Sequence, residues 1–172
     1  MFDPDSTTLS EGVIAARLCL AVALGGVIGF ERERLARPAG LRTHMLTALA
    51  AALFTVITME IHAGVLRESS GQSTDPIRVI EAVTAGVAFL AAGAIFRSQG
   101  DVKGLTTGAG MWLAGAIGLS MGFGHWLIAA FAVIAGVTVL FVLGRLEIAL
   151  KWKRPEHRRS EEQNPKDELT RP

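Results

Sequence analysis

The chain has 172 residues, half of them hydrophobic and only 19% charged, with one cysteine and a formal net charge of +1; a soluble domain carries about 25% charge. One thiol excludes a disulfide framework and a cysteine metal centre, and so balanced a charge gives no footprint for nucleic acid. With a mean hydropathy of +0.39 and charge confined to the ends and to short clusters, the expectation is an all-α integral membrane protein of about five transmembrane helices.

Residues 1–11 are polar and acidic and lack the basic start of a cleaved signal peptide. They are read as a periplasmic tail that stays on the mature protein. A transmembrane domain over 12–145 and a basic, largely disordered tail over 146–172 follow. Within the domain five apolar segments, 13–30, 41–61, 77–96, 105–123 and 126–143, each approach the ~20 residues that cross a ~30 Å hydrocarbon core. Backbone amides in lipid must pair internally, so these segments are read as helices.

The first segment carries Arg17 one turn from its outer end, where a long side chain can snorkel, and Cys19, read as a packing residue. Gly25 and Gly29, four apart, share a helix face and invite close approach of another backbone. Four alternating charges follow, Glu31 to Arg34, before Pro38 and Gly40 break the chain. One reading is a helix-ending salt-bridge patch in which Glu31 pairs with Arg34; the other is a surface that docks a partner.

Glu60 closes the second segment and Glu81 lies one turn into the third, with Asp75 in the loop between. These three are weak candidates for an outer acidic mouth that attracts hydrated Mg²⁺. The plainer reading has them solvated at the interface or paired with Arg17 and Arg78. No carboxylate falls near the middle of any span, so a dehydrating magnesium path through protein has poor support. The Gly-rich fourth segment is the weakest and could be tilted or partly re-entrant. Asp101 or Thr106 is expected to cap it. Its amide-rich start would then either hold an anion or be satisfied by the hydroxyls of Thr106 and Thr107. Gly104 with Gly108, and Gly118 with Gly122, again mark close helix approach. Trp112 is expected in a packed core, whereas Trp126 and Trp152 suit the interfacial aromatic belt.

Basic residues set the orientation. With five spans, Arg67 and Arg78 flank one side. The other receives Arg32, Arg34, Arg37, Arg42, Arg97, Lys103, Arg145, Lys151, Lys153, Arg154, Arg158, Arg159, Lys166 and Arg171, fourteen against two. The positive-inside rule therefore places the N-terminus outside and the C-terminus in the cytoplasm of a plasma membrane. The start of the tail, Lys151–Arg154 with Trp152, suits anionic headgroups at the inner leaflet or a simple stop-transfer flank. His44, His62, His125 and His157 are scattered, and the chain has no HExxH pair, P-loop or nucleophile elbow. Catalytic residues, a metal centre and a cofactor are not expected.

Three stretches, GxxIGxERE…AGLRT from Gly25 to Thr43, RVIEAVTAGVAFLAAGAIF from Arg78 to Phe96, and VKGLTTGAGMW from Val102 to Trp112, resemble the membrane domain of the MgtC/SapB family. The resemblance runs in order from about residue 13 to residue 143. Phe30 stands where the family usually has Leu, Ala91 where it has Gly, and Gly108 and Gly110 where Ala and Ser are common. MgtC itself looks to carry a folded cytoplasmic ACT-like domain after the last helix, so this chain looks like the shorter SapB type. The resemblance implies a multi-pass bacterial inner-membrane protein tied to magnesium homeostasis and stress adaptation, with relatives that act as virulence factors. It implies partner binding without catalysis, to a membrane complex such as the F-type ATP synthase or to a second copy, with magnesium or other cation transport as the alternative. The family-motif and contact residues it assigns are Gly25, Gly29, Glu31, Arg32, Glu33, Gly40, Arg42, Thr43, Gly86, Gly93, Lys103, Gly104, Thr106 and Thr107.

Overall fold

The computed structural model describes residues 7–68, 75–98, 101–143 and 145. The expected tail over 146–172, with its headgroup contact at Lys151–Arg154, and the first six residues lie outside the described residues. Five helices dominate: α1 (Glu11–Arg34), α2 (Leu41–Glu68), α3 (Ile77–Gly93), α4 (Leu105–Gly122) and α5 (Trp126–Thr138). A π-helical turn, Val139–Leu143, extends α5. A short antiparallel ribbon, β1 (Phe96–Ser98) with β2 (Asp101–Lys103), joins α3 to α4, pairing Phe96 with Lys103 and Ser98 with Asp101.

The charged run after Phe30 does not leave the helix. Glu and Arg are good helix formers, and α1 carries them to Arg34. It then stops in a Schellman arrangement: the Ala36 amide donates to the Glu33 carbonyl and the Arg37 amide to the Arg32 carbonyl. The left-handed position falls on Ala36, with φ of 50°, where glycine is the usual occupant. At its far end α2 runs seven residues past the expected Ile61. Conversely α3 stops at Gly93, three residues short of the expected end, because Phe96 is claimed by the ribbon.

The expectation for the start of α4 needs a correction. Neither Asp101 nor Thr106 caps it: Asp101 lies in β2, Thr106 lies inside the helix, and the cap position is Gly104. Gly104 has φ of 92°, and a Cβ there would fall on the Ala94 carbonyl oxygen, so conformation and space both require glycine. Helix α4 is deeply buried. Eleven of its 18 residues are buried, which makes it the hub that α1, α2, α3 and α5 all touch.

Successive helices reverse direction. Gly29 of α1 meets Leu41 at the start of α2, Ala91 near the end of α3 meets Gly108 near the start of α4, and Gly136 of α5 meets Leu113 of α4. The bundle therefore has two ends. Arg17, Glu60, Arg78 and Gly122 belong to one; Arg32, Gly40, Lys103 and Thr107 belong to the other. Ala21, Ile28, Ala52, Ile117, Met121, Ala129 and Val133, drawn from α1, α2, α4 and α5, form the apolar core. Large apolar side chains also cover the outside: Phe89 is 80% exposed and Phe131 73%. Helices apolar on both faces suit lipid rather than water. By length and apolar content, Glu11–Arg34 and Leu41–Leu66 are each able to cross a membrane.

Outward faces also hold two residues expected inside. Cys19 is exposed, and Trp112 is 55% exposed on the α3-facing flank of α4. In lipid an apolar side chain needs no interior to leave water, so hydrophobicity does not separate core from surface.

Candidate functional site

Glycine brings α1, α2 and α4 together. A Cβ at Gly25 would lie 2.7 Å from the Ala48 Cβ and 2.8 Å from the His44 carbonyl oxygen, and one at Gly29 2.8 Å from the Leu41 Cα. At Gly118 it would fall on the Ala48 carbonyl oxygen, and at Gly122 on the Thr55 Cβ. These distances leave no room for any side chain. Backbones therefore touch along most of the shared length, the geometry that small residues provide where lipid removes the hydrophobic drive between helices.

At the Arg32 end this seam turns polar. Arg32 follows Gly25 and Gly29 on the same face of α1, so its side chain is drawn inward, and the residue is 4% exposed. Its Nη2 donates to Thr107 Oγ1 at 3.2 Å, and its Nη1 lies 3.5 Å from Glu31 Oε2. The Arg32 Nε has no hydrogen-bond partner. Glu31 thus pairs with its neighbour rather than with the expected Arg34, which instead lies over the Phe30 ring, 5.8 Å from its centroid.

His44, one turn into α2, is fully buried. Its Nδ1 sits 2.8 Å from the Gly40 carbonyl oxygen. A carbonyl can only accept, so Nδ1 is the donor, which leaves the ring's Nε2 for another contact. That Nε2 is unpartnered and faces Gly110, where a Cβ would stand 3.0 Å away. Around the connector, Glu33 Oε2 accepts the Leu41 amide at 2.9 Å. The carboxylate thus satisfies one free amide at the positive end of α2, and a Cβ on Gly40 would collide with it.

The cluster joins the first and third sequence motifs: Gly25, Gly29, Glu31 and Arg32 meet Thr107 and, through His44, Gly110. Thr106 points outward while Thr107 is buried, and Thr43 accepts the Thr47 hydroxyl through its carbonyl. Arg34, Arg37, Arg42 and Lys103 are exposed around this end. Gly86 and Gly93 are not part of it; both are exposed on α3, and a Cβ on either would meet nothing within 4 Å. His44 and Gly110 went unnoticed as a pair in sequence. The available signal was His44 four residues after Gly40, on the face that Ala48, Ala51 and Thr55 continue.

At the opposite end two of the three acidic candidates have local work. The Glu60 carboxylate accepts the Thr8 amide and hydroxyl and the Leu9 amide. Asp75 Oδ1 accepts the Ile77 amide at 2.9 Å at the start of α3, and Glu81 is exposed. Among the described residues no three His, Cys, Asp or Glu side chains converge to hold a metal ion. The Arg17 Nη1 donates to the Gly122 carbonyl at 2.7 Å, tying α1 to the end of α4. Chemically the Arg32 end offers buried polar contacts beneath an exposed basic rim, suited to recognising an acidic surface.

The model described as the MgtC family matches residues 18–149. Protein MgtC of Brucella abortus is 39% identical over 139 residues, 81% of this chain and 55% of that protein. In Escherichia coli K12, YhiD, whose name marks it as a candidate magnesium transporter, is 36% identical over 137 residues, 80% of this chain and 63% of its own. An uncharacterised protein of Haemophilus influenzae is 32% identical over 167 residues, 96% of this chain and 66% of that one. The chain thus spans 55% to 66% of the length of these relatives. No solved structure matches it.

Proposed function

The chain belongs to the MgtC family, and from that premise we propose that it is a five-span inner-membrane protein that serves magnesium homeostasis and stress adaptation by binding membrane partners, without catalysis. The N-terminus lies outside and the C-terminus in the cytoplasm. The backbone contact of α1, α2 and α4 carries this reading. Where Gly25, Gly29, Gly118 and Gly122 seat directly on a neighbouring helix, no hydrated ion fits between them. Function then falls to the outside of the bundle. The exposed basic rim of Arg34, Arg37, Arg42 and Lys103 meets an acidic partner surface at the cytoplasmic face. Apolar side chains such as Phe89 and Phe131 meet a partner's helices in the bilayer. The F-type ATP synthase, or a second copy of the chain, is the partner class that family resemblance brings forward.

Cation transport is the second reading, favoured by the magnesium-transporter name of the Escherichia coli relative YhiD. Two experiments separate them. Cross-linking from Arg37→Cys at low magnesium is expected to capture a defined membrane complex, and recovery of none would count against partner binding. Magnesium uptake into proteoliposomes, abolished by Glu81→Gln, would sink the binding-only view and install the transporter.

A further inference from the structure

Helix α3 packs on α4 but scarcely on α2, and a groove of about 600 Å³ runs between α2 and α3. Its length follows from its lining. From Arg78 to Leu90 along α3 it covers thirteen residues, twelve steps of 1.5 Å or about 18 Å. That is about the depth of one leaflet, half of a ~30 Å hydrocarbon core.

The wall is chemically plain. Apart from Asp75 and Arg78 at the mouth, its polar side chains are threonines. The Thr47 hydroxyl donates to the Thr43 carbonyl and the Thr58 hydroxyl to the Phe54 carbonyl, each at 2.8 Å. Their protons are spent inside α2, which leaves a polar occupant no donor along the shaft. At the mouth Asp75 already accepts the Ile77 amide, while the exposed Arg78 offers a guanidinium, the group that matches a phosphate in geometry and charge. The same cation opposes entry of a divalent metal.

We propose that the α2–α3 groove is a phospholipid site, with an acyl chain along the shaft and the headgroup phosphate on Arg78. The inference rests on the membrane-spanning reading above, and by that topology the lipid belongs to the outer leaflet. The site binds independently of any partner at the basic rim.

Two variants of the full chain test it. Arg78→Gln removes the phosphate contact. Gly86→Leu fills the shaft at a position where a Cβ meets nothing within 4 Å, so the bundle keeps its packing. Purified in mild detergent and titrated with phosphatidylglycerol under native mass spectrometry, the wild type is expected to retain one phospholipid. Either variant should bind about tenfold more weakly, with helical content unchanged. Equal binding by all three proteins overturns the site. Loss in Arg78→Gln alone overturns the groove as the seat of the acyl chain. A copy-to-copy cross-link from Gly86→Cys in Cys19→Ser background assigns the groove to a second chain and overturns the lipid. Each outcome is read on protein that extracts from membranes, so failure here is distinct from failure of the spanning assignment, which soluble expression without detergent would reveal.

Discussion

Replacing Gly118 by alanine adds one methyl group at the tightest point of the α2–α4 seam. Its Cβ would fall on the Ala48 carbonyl oxygen, 2.8 Å from the Ala51 Cβ and 2.9 Å from the Ala48 carbonyl carbon. Two of these three neighbours are backbone, which cannot swing aside, so α2 and α4 must part by several tenths of an ångström or more. Overpacking of this kind costs about 1–3 kcal/mol, sometimes more, against which the better helix propensity of alanine returns at most ~1 kcal/mol. The net expectation is a loss of about 1–2 kcal/mol. Gly86→Ala is the matched control: the same methyl group at an exposed helical position with nothing within 4 Å, where only propensity acts and stability holds or rises by up to ~1 kcal/mol. Unfolding of both variants in mixed micelles of mild detergent and dodecyl sulfate measures the difference directly. Should Gly118→Ala prove as stable as Gly86→Ala, the helices do not meet backbone to backbone, and the reason for excluding an ion from that seam goes with it.

Four further perturbations have defined outcomes. Thr107→Val keeps the shape but strips Arg32 Nη2 of its acceptor, costing about 1–3 kcal/mol; the double variant with Arg32→Met should recover part of that loss, and strict additivity in the cycle would show the two side chains to be independent. Glu33→Ala frees the Leu41 amide and should lower stability by roughly 0.5–1 kcal/mol, with faster hydrogen exchange at Leu41 than in the parent. Ala36→Gly relieves the left-handed residue after α1 and should stabilise by about 1 kcal/mol in the same micelle assay; a loss would place the Schellman turn elsewhere. In a Cys19→Ser background, Arg37→Cys should react with an impermeant maleimide only after spheroplasts are lysed, and labelling of intact spheroplasts would invert the proposed topology.

What the sequence made legible is the order of the helices and their starts: α2, α3, α4 and α5 begin at Leu41, Ile77, Leu105 and Trp126, where polar connectors give way to apolar runs. What it hid is depth within the bundle. The Gly-rich fourth segment reads as the weakest span, yet glycine weakens that reading by the same absence of a side chain that lets a second backbone come close. Hence the segment that reads weakest is the most buried one. The charged run from Glu31 to Arg34 misled in the opposite sense, because composition assigns all four to the surface while helical phase puts Arg32 behind Gly25 and Gly29. The ribbon at Phe96–Lys103 is six paired residues, too short for alternation to register against the apolar run of α3. Face, then, decides burial here more than polarity does. A buried arginine is tolerated at this seam because Thr107 and Glu31 lie within its reach, and because the glycines that draw α1 onto α2 and α4 supply close packing that lipid alone would not.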